Sequence, residues 1–331
     1  MKPWRKYILA GIITLLLTVF CGIFMEGLPT AYGWWRQFYR MPEQSLKTAF
    51  LGSSHCYCTF DPEIFEDELG GNAIQLGSSS MDLVPMEYYI GELLEKQTPE
   101  RVIIEGYSFI DRDQWGAEDS IQSSRDQTMK AMRWGKNRIE GNRAMFGTEA
   151  AWKKLFPFWD NHANWENPGY IETRIKYYLK PDAADKEDRY NKSESVMTEE
   201  TAALYKKMER NSHKWVVDED QREAFQRINQ LCKAHNIQLI IVMAPIYREW
   251  RDHVDYAGRH DQIQALAEEY QVPFIDYNDP ALYDTLPIDE SCFRDDNSLE
   301  IGNTHLNTKG AELLSHHLAA LIKDGRLSGP F

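Results

Sequence analysis

Basic residues are too few in this sequence to balance the acidic ones. Lysine and arginine total 37 against 51 aspartate and glutamate residues, which leaves a formal net charge of −14. Because no basic patch could dominate such a field, nucleic acid and anionic membrane surfaces are disfavoured as partners. The deficit says little about a neutral glycan as a partner.

Cysteine is also scarce, with five among 331 residues. Cys56 and Cys58 stand two positions apart, which is too close for an ordinary loop-closing disulfide, and no second pair follows at zinc-finger spacing. With Cys232 and Cys292 they favour free or buried thiols, and a bridge to Cys292 is the alternative. The sequence therefore predicts neither a metal site nor a cofactor.

Only one long stretch lacks charge. Residues 7–25, YILAGIITLLLTVFCGIFM, would form a helix about 28 Å long, close to the hydrocarbon thickness of a bilayer. Lys2, Arg5 and Lys6 precede it, so the positive-inside rule predicts a cytoplasmic tail at 1–6 and an extracytoplasmic remainder. The alternative is a cleaved signal peptide, although no A-x-A cleavage site ends the apolar run.

The segment 26–45 is predicted to be juxtamembrane. Five aromatic residues lie close together in it, which is typical of an aromatic belt at the outer membrane interface. They are Tyr32, Trp34, Trp35, Phe38 and Tyr39.

Beyond residue 45, apolar runs that end at glycine or proline alternate with helical patterns. The alternation predicts βαβ units, and hence a parallel sheet with helices on both faces, in one extracytoplasmic domain over 46–331. The polar stretch 111–216 interrupts the alternation and is predicted to be a partly helical insertion. The predicted strands are 47–51, 72–76, 101–104, 237–244 and 272–276, and the main helices are 61–69, 85–96, 218–235, 259–270 and 308–323.

Three polar loops are predicted at the carboxyl ends of strands or before the last helix, where open α/β sheets bind ligands. They are Gly52-Ser53-Ser54-His55, Gly77-Ser78-Ser79-Ser80 and the stretch NTHLNTKGA at 303–311. A serine exposed just after a strand suits a nucleophile, and a histidine before a helix suits a general base. Each loop taken alone is explained at least as well by a polar turn or surface residue without chemistry.

Together the three loops resemble the SGNH (GDSL-like) hydrolase superfamily. LGSSH at 51–55 and HLNTKGA at 305–311 match blocks of its membrane-anchored bacterial branch, which is related to teichoic-acid D-alanyl-transfer and alginate O-acetylation proteins. FPFWDNHANW at 156–165 looks like a diverged form of that branch's F-P-x-x-x-Y-H-x-x-W element. The resemblance spans most of 46–325 and implies an α/β fold, a flavodoxin-like three-layer αβα sandwich around a central parallel sheet.

The resemblance also implies roles for individual residues. Ser54 would be the nucleophile and His305 the base, and the backbone N–H groups of Ser54 and Gly77 would form the oxyanion hole. The aspartate expected three residues before the histidine is replaced by Gly302. A nearby acid would then orient the histidine, and the candidates are Asp296 first, with Asp295 and Glu300 as alternatives.

A second departure concerns the third strand. The family's asparagine there, an oxyanion donor worth roughly 10²–10³-fold in rate, is missing from Glu105-Gly106-Tyr107-Ser108. Candidate substrate-binding residues are His55, Tyr107, His162 and Trp165. The last two belong to the inserted stretch, where an aromatic ring could stack on a sugar, and packing against the sheet is the alternative.

These observations lead to two competing functions. The first is a membrane-anchored serine esterase or O-acyltransferase that acts on a cell-envelope or secreted glycan. The second is a catalytically silent SGNH-like protein that binds glycan or serves as a scaffold. In either case a membrane-bound O-acyltransferase is the protein partner that the resemblance implies. A lipid-acting esterase is a third interpretation, which only the apolar N-terminal segment favours.

Overall fold

A computed structural model describes residues 3–26, 28–115, 118–154, 156–169, 171–172, 175, 189–207, 214–251, 255–295 and 304–327. Within these residues the five predicted strands are present and all parallel, in the spatial order second, first, third, fourth, fifth. This is the flavodoxin-like order of an open α/β sheet. The strands are β1 (Leu46–Leu51), β2 (Asn72–Gln75), β3 (Arg101–Glu105), β4 (Gln238–Met243) and β5 (Phe274–Asp276).

Helices connect and surround the strands. In chain order they are α1 (Pro3–Met25), α2 (Tyr32–Arg40), α3 (Ser54–Thr59), α4 (Pro62–Leu69), α5 (Leu83–Leu94), α6 (Arg112–Trp115), α7 (Glu118–Ala131), α8 (Lys136–Lys154), α9 (Pro157–Asn161), α10 (Glu199–Tyr205), α11 (Glu219–Ala234), α12 (Arg248–Arg251), α13 (Tyr256–Tyr270), α14 (Pro280–Tyr283) and α15 (Thr308–Lys323). Short 3₁₀ turns cover Gly106–Ser108, His162–Glu166 and Glu290–Cys292.

The sheet is buried on both faces, which explains why its central strands read as continuous apolar runs. Successive side chains of a strand point to opposite faces. Phe50 and Ile103 accordingly belong to one hydrophobic cluster, with α4, α10 and α15. Val102 and Ile104 belong to the other, with α2, α5, α11 and α13. Helices therefore cover both faces of the sheet.

The aromatic segment after the apolar run is part of the domain core. Trp35 and Phe38 on α2 are 0% and 1% exposed, and Trp34 is 6% exposed. Trp35 packs edge-on against Tyr89 of α5, with ring centroids 4.8 Å apart. The interpretation of these three rings as an interfacial belt is therefore wrong, because the rings are buried inside the domain. Burial of a large aromatic surface against α5 stabilises the domain.

Helix α1 has the opposite character. Among the described helices, it is the one that is long and apolar enough to cross a bilayer, over Trp4–Met25. Only 6% of its most apolar 18-residue stretch is buried. Ile8 and Leu16 are more than half exposed. A signal sequence would have the same length and composition. The last turns of α1 pack against α9 and the 3₁₀ turn at His162–Glu166.

The chain between β3 and β4 is largely helical in its described parts. Helix α7 packs on α5, and a buried ion pair holds it there. Arg125 of α7 lies 2.6 Å from the Asp82 carboxylate, which caps α5, and 2.9 Å from Asp220 of α11. Helix α7 is thus tied to two helices of the sheet layer.

All five cysteines are reduced, and none forms a disulfide. Cys56, Cys58, Cys232 and Cys292 are buried, and Cys21 of α1 is partly exposed. Burial raises the pKa of the Cys56 and Cys232 thiols well above the ordinary value, which keeps both protonated near neutral pH. A thiolate nucleophile at Cys56, next to the serine loop, is therefore disfavoured.

Candidate active site

The loop after β1 is held by close packing and by a helix cap. A Cβ atom on Gly52 would lie 2.6 Å from the Cβ atoms of both Cys56 and Glu105, so only glycine fits there. Ser53 caps α3, and its hydroxyl oxygen accepts a hydrogen bond of 3.3 Å from the His55 N–H. Ser54 consequently stands at the first position of α3, above the carboxyl end of the sheet.

The loop before α15 is held in a similar way. Leu306 is buried at 2% exposure, and the Asn307 side chain caps α15 by accepting from the Gly310 N–H at 3.1 Å. The Asn307 amide also donates to the Ser291 carbonyl at 2.8 Å. The His305 carbonyl accepts from the Arg294 N–H at 2.9 Å. These contacts thus fix the backbone at His305.

These two loops meet. The His305 Nε2 atom lies 2.8 Å from the Ser54 Oγ atom, although the residues are 251 positions apart in sequence. Both side chains are partly exposed. In the tautomer with Nε2 unprotonated, the Ser54 hydroxyl donates to the imidazole. A serine–histidine pair within hydrogen-bond reach is the arrangement that activates a hydroxyl as a nucleophile.

The acid candidates have different outcomes. The Asp295 carboxylate accepts hydrogen bonds from the Thr201 hydroxyl at 2.5 Å and from the Thr198 hydroxyl at 3.3 Å. It thus joins the chain before β4 to the stretch after the 3₁₀ turn Glu290–Cys292. Asp296 and Glu300 lie outside the described residues.

The oxyanion donors expected from the resemblance also differ. The Gly77 N–H donates to the Gln75 side-chain oxygen at 2.9 Å, and the Ser78 N–H donates to the Gly52 carbonyl at 2.9 Å. Gln75 is fully buried and its amide donates to the Cys56 carbonyl at 3.0 Å, so it links α3 to the loop after β2. In this arrangement the Gly77 N–H is therefore occupied. The Ser54 N–H, at the start of a helix, has no intrahelical acceptor.

Two of the expected substrate-binding residues line the site. The His55 ring stacks on Tyr107 with centroids 4.2 Å apart, and it lies 4.8 Å from the His305 ring. His55 and Tyr107 are both buried, at 6% and 8% exposure. They form the wall of the site beside His305. The His55 and Tyr107 rings are too little exposed to serve as an open platform on which a sugar could stack.

The other two expected residues lie elsewhere. Trp165 is 64% exposed and belongs to the 3₁₀ turn that packs on the end of α1. The side chain of His162 lies outside the described part of the chain. The structure thus gives the FPFWDNHANW stretch a position beside α1.

Sequence reasoning missed two charged residues behind this wall. Arg259 of α13 places its guanidinium over the Tyr107 ring at 4.7 Å and over Trp215 at 4.9 Å. Glu105, at the end of β3, accepts from the Ser53 hydroxyl and from the Tyr107 N–H, each at 3.0 Å. The sequence did contain a signal for Glu105, which is an acidic residue at the end of a buried strand. Nothing in the sequence pattern pointed to Arg259.

Glu105 is fully buried, and burial raises its pKa from the ordinary value of 4.5 to about 7. Its two hydrogen bonds from Ser53 and Tyr107 act in the opposite direction but are weaker than the desolvation. The carboxyl group therefore positions the nucleophile loop and takes up a proton near neutral pH.

Replacement of Glu105 by glutamine is expected to change how stability depends on pH. A raised carboxyl pKa means that the folded chain holds the proton more tightly, so wild-type stability falls as pH rises from about 4.5 to about 7. The full effect is on the order of 3 kcal/mol. Urea unfolding of both proteins in detergent micelles between pH 5 and 8 measures it. A difference between the two proteins that stays constant with pH would contradict the assignment.

Comparison with known proteins adds little. In sequence the chain matches no protein family profile and no curated protein at a significant level. Among solved structures it is similar to a candidate acylhydrolase from Bacteroides fragilis, with 11% identity and a TM-score of 0.37. The alignment covers 88% of this chain and 94% of that protein. A likeness this weak supports no statement on function, which has to be argued from the site.

Proposed function

We propose that this protein is a membrane-anchored, extracytoplasmic serine esterase or O-acyltransferase of the SGNH type. One observation carries the proposal: the 2.8 Å contact between the Ser54 hydroxyl and the His305 imidazole at the carboxyl edge of a parallel sheet. In open α/β sheets this edge is where ligands bind. The LGSSH and HLNTKGA blocks that supply the two residues support the assignment to this superfamily.

The proposed reaction has two halves. The Ser54 oxygen attacks an ester carbonyl while its proton moves to His305 Nε2. The ester C–O bond breaks, the leaving alkoxide recovers that proton, and an acyl-serine remains. Water or a sugar hydroxyl then gives its proton to His305 and attacks the acyl group. The acyl–serine C–O bond breaks, His305 returns the proton to the Ser54 oxygen, and the products are free Ser54 and either an acid or a new ester.

An acid that orients His305 and the donors of an oxyanion hole complete the proposed site. Asp296 is proposed as the acid, with Glu300 as the alternative, since the Asp295 carboxylate is bound by Thr198 and Thr201. The Ser54 N–H is proposed as one oxyanion donor. Gly77 would become the second only if substrate binding displaced the Gln75 side chain from its N–H.

The proposed location and substrate rest on α1 and on the family resemblance. Lys2, Arg5 and Lys6 precede the apolar run of α1 and favour a cytoplasmic N-terminus, which would put the site on the outer side of the membrane. We propose an acylated cell-envelope or secreted glycan as the substrate. A membrane-bound O-acyltransferase would be a natural partner if the reaction is transfer, since such an enzyme could supply the acyl group.

An active-site-directed fluorophosphonate tests the catalytic part. We expect the reagent to label Ser54 of the full-length protein in detergent, because the hydroxyl is both partly exposed and hydrogen-bonded to a base. Intact-mass analysis and peptide mapping identify the labelled residue. The Ser54→Ala variant should not be labelled. The exposed Ser195 provides a matched control, and Ser195→Ala should be labelled as the wild type is.

The same experiment separates the two competing functions. If Ser54 of the folded protein stays unlabelled, the esterase proposal fails and a silent glycan-binding or scaffold protein becomes the better interpretation. Labelling at Ser54 rejects the silent interpretation.

A further inference from the structure

Among the side chains that the structure describes, exposed Phe, Tyr and Trp rings are confined to two places. One is α1 itself. Beyond α1, the exposed rings of this described set lie between residues 152 and 165: Trp152 is 62% exposed, Phe156 39%, Trp159 69% and Trp165 64%. We call these four residues the aromatic patch. Three tryptophans and a phenylalanine exposed within one short stretch of the chain indicate an interaction site.

The aromatic patch stands directly beside the end of α1. A Cβ atom on Gly22 would lie 2.3 Å from the Phe158 nitrogen, so the backbones of α1 and α9 are in contact. The Asn164 amide donates to the Met25 carbonyl at 3.0 Å. These contacts fix α9 and the 3₁₀ turn at His162–Glu166 against the last turn of α1.

A buried ion pair strengthens the same junction. Glu26, just after α1, lies 3.1 Å from the Arg138 guanidinium of α8, and both side chains are 5% exposed. The domain is therefore joined to α1 by packed structure as well as by the chain. Any membrane that α1 crosses has a defined position relative to the aromatic patch.

The depth of the aromatic patch follows from helix geometry. Gly22 is three residues before Met25, which corresponds to about 5 Å along the helix axis. If the apolar run ends at the outer boundary of the hydrocarbon, α9 lies at about the depth of the headgroup and upper acyl region. Side chains buried about 5–10 Å into this boundary are typical of interfacial helices. Tryptophan prefers that environment, because its ring is apolar and its N–H is polar.

We infer that the aromatic patch is a lipid-docking surface that inserts into the outer membrane interface and sets the orientation of the domain. The inference rests on α1 spanning the membrane, which is part of the proposed function. Its occupant is the interfacial region of a bilayer of zwitterionic lipid. Anionic headgroups are not needed, since the chain carries a net charge of −14 and the patch offers apolar rings.

This assignment gives the FPFWDNHANW stretch a role other than sugar stacking. A docked patch would hold the Ser54–His305 site at one height above the membrane. Substrates or partner proteins that emerge from the bilayer would then meet the site in a fixed geometry.

Quenching by brominated lipid tests the inference. The full-length protein, in a Trp4→Phe background to remove the tryptophan at the other end of α1, is reconstituted into vesicles of phosphatidylcholine with brominated acyl chains. We expect the Trp159→Phe/Trp165→Phe double variant to lose at least about half of the bromine-quenchable emission, because both rings lie at the interface. Phenylalanine preserves the apolar surface, so docking itself persists.

A buried tryptophan provides the matched control. Trp215 is 3% exposed in the core, so Trp215→Phe should lower total emission without lowering the quenchable part. Carbonate extraction of the same vesicles reports whether α1 is inserted. If the protein stays with the vesicles and the double variant is quenched as strongly as its parent, the docking surface is overturned while the anchor stands. If carbonate releases the protein, both are overturned, and fluorophosphonate labelling of Ser54 still judges the catalytic proposal separately.

Discussion

Replacement of His305 by alanine is expected to lower the rate of ester hydrolysis by about 10³-fold or more. The Nε2 atom of His305, at 2.8 Å, is the base that the described structure offers to the Ser54 hydroxyl. Without it the hydroxyl must lose its proton to water, at a pH where a serine is a weak nucleophile. The measurement is the initial rate of p-nitrophenyl acetate hydrolysis by the full-length protein in detergent.

The rate losses of the Ser54 and His305 variants are expected to be non-additive. Ser54→Ala should reduce the rate about as much as His305→Ala, and the double variant should be no worse than either, because the two side chains act as a unit. His316→Ala is the matched control, since this histidine lies on α15 and is 61% exposed. A rate in His305→Ala that equals the wild-type rate would remove the catalytic role of the pair.

Replacement of Arg125 by methionine is expected to destabilise the protein by about 3–5 kcal/mol. The Asp82 carboxylate is 2% exposed, and burial raises its pKa. The Arg125 guanidinium at 2.6 Å compensates for that burial, and methionine would leave the buried carboxylate without this cation. Urea or thermal unfolding of the two proteins in micelles measures the loss.

An exposed ion pair provides the control for this variant. Arg227 lies 2.7 Å from Glu87, with side chains 43% and 25% exposed, so Arg227→Met should cost only about 0–1 kcal/mol. The Asp82→Asn/Arg125→Met double variant should recover part of the stability, because it removes the unpaired charge. A loss for Arg125→Met as small as that for Arg227→Met would show that the buried pair contributes little.

This ion pair also affects the site. Helix α7, which Arg125 holds in place, carries Ser124, whose hydroxyl lies 2.9 Å from the Ser79 carbonyl and 2.7 Å from the Ser80 carbonyl. The inserted helix thus contacts the loop after β2, next to the candidate site. We therefore expect a destabilised α7 to loosen that loop before it disturbs the sheet.

The strands illustrate what local pattern can predict. Each predicted strand begins and ends within two residues of the observed one, because buried parallel strands are continuous apolar runs bounded by glycine, proline or polar residues. The loops 52–55, 77–80 and 303–311 were likewise predicted at the carboxyl edge from chain order alone, since parallel strands all end at one edge.

The aromatic residues illustrate what local pattern cannot predict. Aromatic-rich stretches of the sequence hold both Trp34 with Trp35 and Trp159 with Trp165. In the structure the first pair is buried against the sheet layer and the second is exposed beside α1. Whether a ring is buried depends on which surfaces meet in the folded chain. An aromatic ring suits both a protein core and a membrane interface, so its presence in the sequence is compatible with either outcome.

The order of the elements along the chain, the apolar α1 and the Ser54 and His305 loops can all be read from the amino-acid sequence alone. These are consequences of periodicity, glycine positions and recognisable short blocks, which are properties of neighbouring residues. Only the tertiary structure decided that the serine and the histidine lie 2.8 Å apart, that Gln75 occupies the Gly77 N–H, and that Glu105 is buried under Ser53. Each of these depends on contacts between segments distant in sequence or on competition for one hydrogen bond, and packing settles both.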